Sequence, residues 1–192
     1  VNEVKKKQTK DKKEKILGFD VSTNNMETIL DNIFNAKDKV FVVNINPLIV
    51  LDHYKDAEKK KIFNNQLIQI PDGEGIVLVS KLRGGNIEKR IAGIDLMLEV
   101  CKNSIKYRSS IFLYGAKDGV AKKAKEKLER QFNNINIVGT ISGYEEEQKV
   151  IKDILTLISN LNLTMKIGNV EIKNRIVMAP MMMGFGQFNG NA

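Results

Sequence analysis

Short apolar runs alternate along this chain with longer segments whose apolar residues recur every three or four positions, the spacings of strands and helices in turn. Residues 16–21, ILGFDV, read as a short strand, and residues 24–27 resemble a capping box that opens a helix with Met26, Ile29, Leu30, Ile33 and Phe34 on one face. Residues 39–45, KVFVVNI, are nearly continuous in apolar character, which predicts a strand covered on both faces. Pro47 starts a helical segment, alternation resumes over 67–70, and PDGEG leads into a helical 76–82. A helix over 93–107, a strand over 110–114, a helix over 118–132 and a strand over 135–140 follow. The helix over 118–132 carries Val120, Ala121, Ala124, Leu128 and Phe132 at helical spacing. One more helix, EEEQKVIKDILTLI over 145–158, would bury Val150, Ile151, Ile154, Leu155 and Ile158.

Strands that alternate with helices of this length predict βαβ units, hence an α/β fold with a mainly parallel sheet and helices on its faces. In such sheets a ligand sits beyond the carboxyl ends of the strands. Two strand ends then draw attention. Asp72 follows residues 67–70, and Gly73 and Gly75 beside it remove side chains that would block a substrate's approach. Pro-Asp-Gly is also ordinary turn chemistry, so a plain turn stands beside the catalytic reading. Asn44 and Asn46 close the other strand and, two apart, would point the same way if the strand runs that far. Capping of the next helix by one of them is the competing use.

Composition narrows the function classes. The chain has 192 residues, 42% of them hydrophobic, with no apolar run of about 18, so it reads as one domain without a membrane span. No N-terminal segment pairs a charged start with an apolar stretch, which predicts a cytoplasmic location. Cys101 is the single cysteine, expected as a half-buried thiol on a helix rather than a nucleophile. Half of the net charge of +8 lies in residues 1–15, VNEVKKKQTKDKKEK, expected to be a disordered basic arm able to meet an anionic lipid surface. Arginine is sparse, tryptophan is absent, and no run interleaves aromatic with basic residues, so no nucleic-acid partner is expected. With His53 as the only histidine and no Asp-x-Asp pair, no metal site is expected either.

Two further features bear on phosphate binding. Arg90, in EKRIAGIDLM, precedes a helix, where its guanidinium could meet a phosphate, hold Asp72 ionised, or simply face solvent. In YGAKDGVAKKA, Gly115 and Gly119 stand between strand and helix, a Rossmann-like turn whose backbone amides can bind a phosphate, although the pattern is not GxGxxG.

Taken in order, ILGFDVSTNNMETIL, VVNINPLIVL, IPDGEGIVLVSKL, KRIAGIDLM, IFLYGAKDGVAKKAKEKL and INIVGTISGY resemble the blocks of the WecG/TagA/CpsF glycosyltransferase family across residues 16–152. The resemblance implies a Rossmann-like domain over 16–158 that moves N-acetylmannosamine, or a related sugar, from a UDP-sugar donor to polyprenyl-diphosphate-linked N-acetylglucosamine. It implies work at the cytoplasmic membrane face, in teichoic acid or surface-polymer synthesis, with inversion and without a metal or other cofactor. It also implies roles for single residues: Asp72 as general base, Arg90 in the pocket, Asn46 as the strand-end amide, and Asn44 where the family often has threonine. Blocks that family members carry further on, with their basic C-terminal appendage, are not found here. Residues 165–192, MKIGNVEIKNRIVMAPMMMGFGQFNGNA, resemble instead the start of old-yellow-enzyme-type NADH:flavin oxidoreductases, so residues 159–192 are expected to be an unrelated tail. That tail is too short for the roughly 250 residues of a TIM barrel, and its apolar run over 176–183 would pack as an extra strand or stay exposed and promote self-association. The alternatives to a transferase are a non-catalytic α/β binding module at a membrane surface and a fragment of a flavin enzyme.

Overall fold

A computed structural model describes residues 11–36, 40–65 and 68–145, together with Lys152, Thr156 and the backbone of Val177–Met178. Its elements are β1 (Lys13–Ile16), β2 (Phe19–Ser22), α1 (Met26–Phe34), β3 (Val42–Ile45), α2 (Pro47–His53), α3 (Ala57–Asn64), β4 (Ile68–Pro71), α4 (Glu74–Leu82), α5 (Gly93–Lys106), β5 (Ser110–Tyr114), α6 (Val120–Gln131), β6 (Asn136–Ile141) and β7 (Val177–Met178). The fold is α/β. The chain divides into two compact units, Val1–Ser109 and Ser110–Ala192, a division inside the stretch read from sequence as one domain.

In the first unit, the expected strand over 16–21 is the turn of a hairpin. Ile16 pairs with Phe19, so Leu17 and Gly18 form a two-residue loop between antiparallel β1 and β2. Both loop residues have positive φ, 48° and 90°, the geometry that matches the twist of a hairpin. Glycine adopts it freely, whereas Leu17 does so at a cost of about 1–2 kcal/mol. The basic arm therefore ends earlier than expected, because residues 11–15 belong to this hairpin and its approach. Asp11 is the anchor: its Oδ1 accepts from Ser22 Oγ at 2.6 Å and from Asn24 Nδ2 at 2.7 Å. Residues 1–10 of the arm lie outside the described residues.

The cap of α1 also sits one residue later than the pattern indicated. Asn25, not Asn24, is the N-cap, its side chain accepting from Thr28 N at 2.9 Å, because Asn24 is committed to Asp11. The helical segment after Pro47 proves to be two helices. Asp56 restarts the chain by capping α3 through Lys59 N at 2.9 Å.

Parallel β3 and β4 form the second sheet. Burial on both faces belongs to β4, where all four residues are buried, whereas Val42, Val43 and Asn44 of β3 are only half-buried. Ile16, Phe19 and Val21 of the hairpin meet Ile45, Val50, Ile76, Val77 and Ile87 in one core. At about 1.5–3 kcal/mol for each large side chain removed from water, that cluster is the main force holding the hairpin, α2 and α4 to the β3 end. Cys101 is fully rather than half buried on α5, and burial pushes its thiol up to about 11, so it keeps its proton at neutral pH.

The second unit holds β5 between β6 and β7, both parallel to it. Helix α6 links β5 to β6, with Leu128 buried and Lys125 Nζ donating to Ile137 O at 2.9 Å, while Val120 at its start is exposed. The pairing of Val177–Met178 with Phe112–Leu113 realises, for these two residues, the extra strand expected of the tail. Lys152 and Thr156 are helical, the Thr156 hydroxyl donating to Lys152 O at 2.8 Å. The remainder of the helix expected over 145–158 beyond residue 145, the junction and the rest of the tail lie outside the described residues.

Burial raises the Asp11 carboxyl above its ordinary value, against the opposing pull of Ser22, Lys13 and Asn24. The folded state therefore holds this proton more tightly than the unfolded chain does. Stability is lost as pH rises from the ordinary carboxylate value through the raised folded one, and no penalty remains below that window. Asp11→Asn keeps an acceptor for Ser22 and cannot ionise, so its stability relative to wild type should be greater near pH 7 than below about pH 4. Urea unfolding at both pH values measures this, and a larger relative gain in acid would contradict the assignment.

Candidate active site

The register of β3 and β4 sets the site. Asn44 lies opposite Ile70 and Ile45 opposite Pro71, so the two strands end level with each other. The ladder continues one step into the turn, where Asp72 N donates to Ile45 O at 2.9 Å. Asn44 Nδ2 then donates to Asp72 Oδ2 at 3.0 Å, which joins the two strand ends through their side chains. Asp72 is half-buried, and among the described residues its Oδ1 accepts no hydrogen bond. Among the described residues, one carboxylate oxygen is held and the other is open.

A third chain segment closes on the same point. Ile91 N donates to Pro71 O at 2.8 Å, which draws the start of α5 to the end of β4. Ala92, the N-cap of α5, offers no side-chain acceptor, and Gly93 N instead points at Asp72 Oδ2 at 3.4 Å. A carboxylate at a helix N-terminus is favoured by the helix dipole and by the unpaired amides there. Nothing in the residue pattern signalled this contact beyond the lack of a capping side chain before Gly93.

The two glycines have a different reason from the one expected. A Cβ added at Gly73 would lie 2.9 Å from Pro47 Cδ, and one at Gly75 would lie 2.8 Å from Pro47 Cγ. The space beside them is filled by the first residue of α2, not left open for substrate. Gly73 also has φ +140° and ψ 141°, in a region that residues with a side chain scarcely enter. Asp72 is thus aimed by a turn that only glycine can make.

Asn44 and Asn46 do not act together. Asn46 caps α2, its Oδ1 accepting from Ile49 N at 2.9 Å, which realises the capping alternative for that residue. Arg90 is exposed and makes no ion pair or hydrogen bond with a described residue. Backbone pairing of Ile91 to Pro71 holds it near the strand end, but Asp72 is oriented by Asn44 and Gly93, not by this guanidinium.

In the second unit, part of the Rossmann-like turn is already bonded. Gly115 N donates to Ile141 O and Gly119 N to Asp118 Oδ1, each at 2.9 Å. These two amides are therefore not free for a phosphate. Gly143 N donates to Ala116 O at 2.9 Å, and a Cβ at Gly143 would lie 3.0 Å from Gly115 Cα, so the ends of β5 and β6 come close through glycine. No three His, Cys, Asp or Glu side chains cluster as cation ligands among the described residues.

The profile described as "Glycosyl transferase WecG/TagA/CpsF family" matches residues 14–164, most of the chain and all of the site just described. The chain belongs to this family. Three curated relatives carry the name N-acetylglucosaminyldiphosphoundecaprenol N-acetyl-beta-D-mannosaminyltransferase. The Bacillus subtilis (strain 168) protein is 33% identical over 107 residues, 56% of this chain and 42% of the relative. The Bacillus spizizenii protein is 32% identical over 113 residues, 59% and 44% of the two chains. The Staphylococcus aureus (strain NCTC 8325) protein is 29% identical over 146 residues, 72% and 57%. The chain thus spans about half the length of the curated relatives it matches. The family match reaches past 158, where the unrelated tail was expected to begin, and ends at residue 164.

The packing of Gly75 on Pro47 makes a prediction. Gly75→Ala should destabilise the chain by about 1–3 kcal/mol, as overpacking does, and Pro47→Ala in the same chain should recover part of that loss. Denaturant midpoints of the two single variants and the double variant decide it. A neutral Gly75→Ala, or no recovery, would mean that the ring does not set the turn.

Proposed function

We propose that this chain is the part of a glycosyltransferase that carries the general base. The transfer is of N-acetylmannosamine, or a related sugar, from a UDP-sugar to a polyprenyl-diphosphate-linked N-acetylglucosamine, in the synthesis of teichoic acid or another surface polymer. One observation carries this reading: Asp72 stands at a strand's carboxyl end with Oδ2 held by Asn44 and Oδ1 uncommitted among the described residues. Family membership and the names of the relatives supply the substrate class.

In the proposed step the acceptor hydroxyl attacks the anomeric carbon of the donor. Asp72 takes the hydroxyl proton, the new glycosidic bond forms, and the bond to the nucleoside diphosphate breaks with its electron pair leaving on the phosphate oxygen. Attack opposite the leaving group inverts the anomeric centre. Asn44, a donor to Oδ2, keeps the basic oxygen turned toward the hydroxyl, within the roughly 2.6–3.2 Å that proton transfer needs. Exposed Arg90, without a partner among the described residues, is available to the donor's phosphates. Asn46 holds the end of α2 in place and so acts on substrate through the backbone. The step as proposed uses neither a metal nor another cofactor.

Among the described residues no helix is long and apolar enough to cross a membrane. The proposed location is the cytoplasmic face of the membrane, where a lipid-linked acceptor is presented. A second reading is a binding module without turnover.

Transfer of labelled N-acetylmannosamine from its UDP-sugar to a short-chain lipid-diphosphate N-acetylglucosamine tests the proposal. Asp72→Asn should lower the rate by about 10²–10⁴-fold, and a chelator should leave the wild-type rate unchanged. Equal rates with and without the carboxylate would make Asp72 a turn and capping residue only. No product from either chain would favour the binding module.

A further inference from the structure

The face of α2 turned away from the core is apolar. Val50 is buried, but Leu48 and Leu51, one turn apart, are 60% and 62% exposed. Tyr54 continues the row one turn on, 41% exposed, with Lys55 Nζ 5.4 Å from its ring centroid. Water-facing leucines in succession on a helix this short are unfavourable unless something covers them.

This row begins at the rim of the candidate active site. Pro47, immediately before Leu48, is the residue on which Gly73 and Gly75 pack, and Asp72 is next to Gly73. A seven-residue helix is about 10 Å long, so the whole apolar row stays close to the carboxylate.

The choice of occupant rests on the transferase reading. In that reading the hydroxyl facing Asp72 belongs to a sugar joined through a diphosphate to a polyprenyl chain. One sugar ring and one diphosphate are all that separate the reacting oxygen from hydrocarbon, so the rim must come down onto the bilayer. Ile94, next to Gly93 on α5, is a single exposed apolar side chain near this rim, and α2 adds a row of three. Lysines 55, 59 and 61 are exposed along the same stretch, and Asp56 is occupied in capping α3. Asp52 and Glu58 are also exposed there, which leaves the exposed lysines of this stretch in excess by one. A surface with apolar side chains at its centre and lysines around them matches an anionic bilayer.

We propose that α2 is the lipid-contacting surface of this chain, with Leu48, Leu51 and Tyr54 entering the boundary between headgroups and acyl chains beside Asp72. The lack of tryptophan provides a direct test. Leu51→Trp places a single fluorophore on the row, and Phe41→Trp places one at an exposed position before the opposite end of β3. With phosphatidylcholine–phosphatidylglycerol vesicles bearing brominated acyl chains, the Leu51→Trp emission should shift to the blue and be quenched, as expected at a depth of roughly 5–10 Å. The Phe41→Trp emission should do neither. Leu48→Glu with Leu51→Glu should lower the vesicle-bound fraction of the otherwise wild-type chain roughly ten-fold, with an unchanged thermal midpoint as the check on folding.

Three results would overturn the proposal. The chain does not bind these vesicles; or it binds while Leu51→Trp stays unquenched, which places the contact elsewhere; or the Leu51→Trp shift appears without vesicles and grows with protein concentration, which makes a second copy the occupant. None of these readouts needs donor or turnover, so failure of the transferase reading would appear separately, as absence of product.

Discussion

The level pairing of two short parallel strands is the constraint on which the candidate site depends. Because Ile45 stands opposite Pro71, the next residue of each strand reaches the same rim, and Asp72 N can still bond Ile45 O. A slip of one residue would turn Asn44 to the other face and remove the only described side chain that donates to the Asp72 carboxylate. The register is itself held by burial: β4 is covered at every position, and Ile45 is locked into the core that the hairpin and helices α2 and α4 share. Hydrophobic packing some distance from Asp72 therefore fixes where its carboxylate stands.

Close backbone approach then completes the rim. Pro47 opens α2 in the space that Gly73 and Gly75 leave, while Asn46 caps the same helix. Asp72 is bound into this arrangement from both sides, by Asn44 across the strand pair and by Gly93 at the start of α5. Its Oδ2 helps maintain the rim, and among the described residues its Oδ1 accepts no hydrogen bond, which is the basis of its proposed role as base.

Much of this was legible in the residue order. Periodicity placed most of the helices and strands, and the general rule for strand ends pointed to Asn44 and Asp72 before any contact was known. What escaped were effects of tertiary partners. The hairpin was hidden because Leu17 adopts a backbone conformation that leucine avoids, so the turn carries only half of its usual signal. The α1 cap moved because Asn24 is taken by Asp11, a partner thirteen positions away. The glycines beside Asp72 looked like room for a substrate because Pro47, far off in sequence, could not be known to fill that room. Asn46 divided from Asn44 once the strand stopped at Ile45 and the helix began. The break between α2 and α3 was missed because the apolar periodicity of α3 is weak, none of its residues being buried.

In the proposed function, Asn44 acts through Asp72 to place a catalytic base. A double-mutant cycle on the transfer rate tests it most directly, using Asn44→Ala, Asp72→Asn and both together. The account predicts that Asn44→Ala slows transfer in the presence of Asp72 and has little further effect once the carboxylate is gone. Fully additive losses would contradict it, because the two side chains would then contribute independently.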